Sequence, residues 1–148
     1  MSWSKSMAIR YLTSMNDAAI PDFPSDDLRV FFADREEIEL ALLIGSRASG
    51  RVRARSDWDF AIQWRKDIPW IDRLAKTETL RGELAGLLRI MPDAIDLVDI
   101  PSARLAMRAV AAEEGIELKG DNTLAWSHFL LRTWAELEDF YWSRHYAA

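Results

Sequence analysis

Residues 38–45, IELALLIG, are apolar almost throughout and end on glycine, the pattern of a strand buried in a sheet. A second run, DWDFAIQW (Asp57 to Trp64), alternates and also reads as a strand. Successive strand side chains point to opposite faces, so Asp57, Asp59, Ala61 and Gln63 share one side and Trp58, Phe60, Ile62 and Trp64 the other. The aromatic side is expected to be the buried one. AIDLVDI (Ala94 to Ile100) is a third strand, with Asp96, Val98 and Ile100 together and Ile95, Leu97 and Asp99 opposite.

Helix-spaced segments separate these strands. Ser25 or Asp26 can cap a helix through about Arg35 whose apolar side includes Leu28, Phe31 and Phe32. Residues 67–90 read as a helix with Ile71, Leu74, Leu80, Leu84, Leu87 and Leu88 inward, stopped by Pro92. Pro101 begins another through about Glu114, GIELKG permits a short edge strand, and residues 121–145 form a long aromatic helix. Ahead of them, Trp3, Met7, Tyr11 and Met15 recur at steps of four, so residues 1–25 read as a helical extension to a domain spanning 26–148. The result is an α/β (α+β) chain with a small sheet and flanking helices.

Composition narrows the classes of function. A chain of 148 residues is about one domain's worth. Its 49% hydrophobic and 29% charged content is that of a globular protein. A formal charge of -5 argues against an extended nucleic-acid footprint, which needs clustered Lys and Arg. Absence of cysteine excludes disulfides and thiolate metal sites. No apolar run approaches the ~20 residues of a membrane span and the first residues lack a signal-peptide core, so a cytoplasmic location without membrane contact is expected.

If the second and third strands are neighbours, Asp96 joins Asp57 and Asp59. Three carboxylates held this close repel unless a cation lies among them, and hard oxygen ligands left partly open suit Mg²⁺. Metal ions in such a place bridge phosphate oxygens and help to ionise an attacking hydroxyl. The preceding loop supplies the other half of that chemistry. Gly45 has no Cβ to block close approach, Ser46 is a candidate helix cap, and backbone N–H groups there can face a phosphate. Arg47, Arg51, Arg53 and Arg55 add candidate phosphate contacts.

Gly45 and Ser46, ten residues, then Asp57, one residue and Asp59 resemble the signature of the nucleotidyltransferase superfamily that includes DNA polymerase beta. GSRASG, SDWDFAI and IDLVD, in that order, are similar to the motifs of the minimal nucleotidyltransferases, the MNT antitoxins of HEPN/MNT toxin–antitoxin modules. That resemblance implies a polymerase-beta-like fold with a small mixed sheet. Carried over by position, it implies that Gly45 and Ser46 hold the triphosphate, with Arg47 beside them, and that Asp57, Asp59 and Asp96 bind Mg²⁺ and act in catalysis. It further implies ATP as donor, an adenylyl group as what moves, and a tyrosine hydroxyl of a cognate HEPN ribonuclease toxin as acceptor. The first twenty-odd residues have no counterpart in the shortest members.

Transfer to a small molecule of aminoglycoside type is the alternative of the same chemistry, and a binding-only antitoxin is the alternative of another class. In the last helix Trp126, Leu130, Thr133, Leu137, Phe140, Tyr141 and Arg144 lie near one stripe, widened by Phe129 and Trp134. The stripe can pack on the chain's own sheet, or form an interface with a toxin or a second copy, or do both on opposite sides. Asp93 and Asp99 compete with Asp96 for the third carboxylate. Asp93 precedes the strand and Asp99 falls on the other face, so Asp96 is preferred. His128 and His145 have no spaced ligand partners and carry no assignment.

Overall fold

The structure, a computed structural model, describes residues 23–51 and 56–146. The helix expected over residues 1–19, like Arg53 and Arg55, lies outside the described residues. The elements run α1 (Ser25–Ala33), β1 (Ile38–Ile44), α2 (Ser46–Ser49), β2 (Trp58–Trp64), α3 (Trp70–Leu88), β3 (Ile95–Asp99), α4 (Leu105–Glu114), β4 (Ile116–Lys119) and α5 (Leu124–Tyr146). Single 3₁₀ turns at Pro92–Ala94 and Ile100–Ser102 bracket β3. The helix expected to begin at Pro101 therefore starts later. Ser102 Oγ donates to Asp99 Oδ2 at 2.6 Å and holds the 3₁₀ turn that delays it.

The strands form one mixed sheet in the order β3-β2-β1-β4. β1 pairs antiparallel with β2 and β4, whereas β3 lies parallel to β2. A parallel neighbour requires a crossover, and α3 supplies it, making β2-α3-β3 a βαβ unit. One face carries Trp58, Phe60, Ile62 and Trp64 with Leu43 and Ile95, under Leu28 and Phe32 of α1 and Leu80 and Leu84 of α3.

The opposite face is covered as well, and the last helix packs on the chain's own sheet as one of its two readings allowed. Leu40, Leu42, Ile44 and Ala61 pack there against Ala111 and Ala112 of α4 and Phe129 and Trp134 of α5. Alternation in β2 hid this, because Ala61 is small and its neighbours on that side are polar. The acidic start of β2 projects past this second layer and the rest of its side lies beneath it.

Helix α3 packs through Leu80, Leu84 and Ala85, while Ile71 and Leu74, expected inward, are more than half exposed. The apolar positions of its first turns are thus left outside the core formed by the described residues. α5 divides in the same way. Phe129, Thr133 and Trp134 are buried, Trp126, Leu130 and Leu137 flank them, and Phe140 and Tyr141 are exposed. Arg108 of α4, itself 4% exposed, ties the two covering helices by donating to Glu136 at 2.5 Å and to the Ala103 carbonyl at 3.2 Å.

Phe60 is fully buried at the centre of the sheet. Phe60→Ala is expected to cost about 3–5 kcal/mol of unfolding free energy in urea denaturation. Val30→Ala, on the exposed side of α1, should stay within about 0.5 kcal/mol of wild type.

Candidate active site

The parallel register fixes the central feature, since Asp59 of β2 lies directly opposite Asp96 of β3. Both point to the α4 side of the sheet, at the end where the strands emerge from under it. Asp57 lies two residues before Asp59, is exposed, and contributes its charge to the pair. Asp59 is half-buried, and its carboxyl is held above its ordinary pKa by burial, then by the charges of Asp96 and Asp57. Asp93 sits in the 3₁₀ turn before β3 and Asp99 serves the turn after it, so neither joins the pair.

β1 delivers the loop to the same place, with Ile44 paired to Asp59 and Gly45 following. Gly45 has φ +75°, a conformation that side chains rarely adopt, and a Cβ there would collide with the Asp59 carboxylate. Glycine is thus required twice, for the turn and for the approach. Gly45 itself occupies the cap position of α2, and Ser46 is the first helical residue with no side-chain capping bond, unlike the cap role expected for it. The first N–H groups of a helix lack intrahelical acceptors, which leaves those of Ser46 and Arg47 available beside the carboxylates.

Arg47 is already engaged. Its guanidinium stacks over the Trp58 ring at 4.2 Å and donates to the Ser56 carbonyl at 2.8 Å. It joins the two ends of the loop between α2 and β2, and a contact with phosphate would use what remains of its donors. Arg51 is exposed. On the other strand, Arg81 of α3 donates to the carbonyl of Ile95, the residue before Asp96. Arg81 has no signal in the sequence, because a helix-surface arginine reveals nothing of what it reaches.

The carboxylates open onto a cleft of about 360 Å³ walled by Val98, Ala106, Met107 and Val110. These apolar residues escape a sequence reading because α4 positions that face a cleft look like core positions. Oxygen donors beside partly open space suit a hard cation. Among the described residues, however, no three acidic, histidine or cysteine side chains converge enough to hold a metal ion by themselves. The residues fit an ion whose remaining ligands come from water and phosphate. A larger hollow of about 500 Å³ between α1 and α3 is lined by charges that pair with each other, Arg35 with Glu83 and Lys76 with Glu37. No helix among the described residues is long and apolar enough to cross a membrane.

The strand, Gly-Ser turn and carboxylate-bearing strand define a nucleotidyltransferase domain. The polymerase beta nucleotidyltransferase family matches residues 26–123, and the chain belongs to that family. Its fold is similar to that of a toxin–antitoxin structure holding AMP-PNP, with a TM-score of 0.64 at 22% identity over 83% of this chain and 94% of that one. The MntA–HepT toxin–antitoxin gives a TM-score of 0.56 at 21% identity, covering 82% of this chain and 90% of that one. A tri-AMPylated HEPN toxin in complex with its MNT antitoxin, from Shewanella oneidensis, gives 0.56 at 20% identity, covering 82% and 92%. A comparison with curated protein sequences gave no match.

The raised pKa of Asp59 has a consequence for stability. The folded chain holds the Asp59 proton more tightly than the unfolded chain, whose ordinary value is 3.8. By linkage, stability is full below 3.8 and is lost as pH rises through the raised folded value. Without divalent cations, Asp59→Asn should therefore be more stable than wild type at neutral pH, and the advantage should vanish below pH 3.8 in denaturation curves. An equal difference at every pH would contradict the crowding of charge at this position.

Proposed function

We propose that the protein is a Mg²⁺-dependent adenylyltransferase that acts as an antitoxin, moving AMP from ATP to a hydroxyl, a tyrosine's, of a cognate HEPN ribonuclease toxin. The observation that carries the reading is Asp59 in register with Asp96, against the backbone of Gly45. The fold neighbours with AMP-PNP and with an AMPylated toxin support the donor and the acceptor class.

In this reading the Gly45–Ser46 backbone binds the β- and γ-phosphates and orients the leaving group. Asp57 and Asp59, with Asp96, hold the ion, whose chemistry is to neutralise phosphate charge and lower the pKa of a nearby hydroxyl. Asp96 accepts the hydroxyl proton as the acceptor oxygen bonds to the α-phosphorus. The bond from that phosphorus to the bridging oxygen breaks, and pyrophosphate leaves. The apolar wall of Met107 and Val110 excludes water that would otherwise compete as acceptor.

A second reading rests on α5, whose end presents Phe140, Tyr141, Trp142 and Tyr146 to solvent. Such a patch suits contact with a partner, the toxin or a second copy, and a binding-only antitoxin would need nothing more. Incubation with labelled ATP, Mg²⁺ and the toxin separates the readings. Wild type should label the toxin, and the Asp57→Ala/Asp59→Ala variant should lose about 10²-fold or more of the rate. Toxin neutralised without label, equally by both, would favour binding alone, and label on an aminoglycoside but not on the toxin would favour a small-molecule acceptor.

Gly45→Ala should lower transfer by a similar factor, since a side chain there displaces Asp59 and strains a left-handed residue by about 1–2 kcal/mol. Gly50→Ala, with open space around it, should leave transfer near wild type and report the strain alone.

A further inference from the structure

A second cleft, also of about 360 Å³, lies on the same face of the sheet at the far end of β2. Four steps of strand lead from Asp59 to Gln63, which lines it, about 13 Å at the rise of an extended chain. Lys66, from the β2–α3 connection, and Arg73, from the start of α3, are among the residues that line the cleft. Arg73 Nε is buried and has no hydrogen-bond partner. Neither residue forms an ion pair among the described residues, although the chain as a whole carries a charge of -5. A buried, unpaired Nε is costly, and the remaining guanidinium donors of half-exposed Arg73 are what an acceptor in the cleft would engage.

Glu39 and Gln63, which also line the cleft, bring different chemistry. Gln63 Nε2 donates to Glu39 Oε2 at 2.9 Å, across the β1–β2 pair. This leaves the second Glu39 oxygen, and the Gln63 carbonyl, as acceptors for hydroxyl groups. Arg132 of α5 is held at the rim by Glu136 at 3.1 Å and reaches the Pro101 carbonyl at 3.5 Å, so its charge is already spoken for. An anion cannot sit against Glu39, and it is drawn to Lys66 and Arg73.

We propose that this cleft binds a phosphorylated polyol, with its phosphate on Lys66 and Arg73 and its hydroxyls on Glu39 and Gln63. Arginine's fork suits two phosphate oxygens and lysine adds a point charge. The volume, near the lower end of small-molecule pockets, admits one sugar phosphate and not a polymer. The site is separate from the carboxylate cleft, so it stands whether or not adenylyl transfer does.

Isothermal titration of the full chain, free of divalent cations, with ribose 5-phosphate and with inorganic phosphate tests it. Ribose 5-phosphate should bind saturably, one per chain, more tightly than inorganic phosphate, and equally to wild type and Asp59→Asn. Lys66→Gln and Arg73→Gln should each weaken it about ten-fold, the loss of one charge-assisted hydrogen bond. Lys66 is exposed, so its variant keeps the test decisive if Arg73→Gln fails to fold. Glu39→Gln should remove the preference for the sugar phosphate. No saturable binding, binding unchanged in Lys66→Gln, or binding lost in Asp59→Asn would each overturn the proposal, as would equal affinity for both ligands.

Discussion

Asp59 and Asp96 face one another across the parallel β2–β3 pair, and the geometry of the site follows from that single pairing. A hydrophobic core would not place two carboxylates together, because each raises the energy of the other's charge. The register is imposed instead by what lies behind the sheet, where Phe60, Ile62 and Ile95 pack under α1 and α3. A slip of one residue would turn that apolar set to the wrong face. Burial of the aromatic side thus holds the acidic side in place, although burial first, and then the charges of Asp96 and Asp57, raise the pKa of Asp59.

Two cationic side chains reinforce the arrangement from outside the cleft. Arg47 closes the loop before β2 by lying on Trp58, the residue between Asp57 and Asp59. Arg81 reaches from the crossover helix to the backbone just before Asp96. Both act through the chain segments that bear the acids. Gly45 completes the site by being absent as a side chain, so that the β1–α2 turn can touch the Asp59 carboxylate. The second layer, α4 and α5, leaves this end of the sheet uncovered and supplies the apolar wall of Met107 and Val110.

Much of this was legible in the sequence, for identifiable reasons. The strands were, because IELALLI and IDLVD are short and apolar and WDFAIQW alternates. The acidic positions were, because strand period is fixed at two and places Asp59 and Asp96 on defined faces. What alternation cannot encode is a second covering layer, so the burial of Ala61 went unread. Helical periodicity likewise marks apolar positions without saying which will find a partner. That is why Ile71 and Leu74 were expected to pack and instead face solvent, and why periodicity left open whether Phe140 and Tyr141 would pack or stand exposed, as they do. Roles carried by long side chains, such as those of Arg47, Arg73 and Arg81, depend on reach across the fold and have no local signature.

The central claim is that the acidic groups gathered by the β2–β3 register form a cation site beside a bound nucleotide. Mn²⁺ added with a nonhydrolysable ATP analogue, followed by NMR line broadening, tests it most directly. The account predicts that the backbone signals of Gly45, Asp59 and Asp96 broaden first, with the effect falling along β2 toward Trp64. Strongest broadening in the acidic segment Asp34 to Glu37, with Asp59 and Asp96 left sharp, would contradict it.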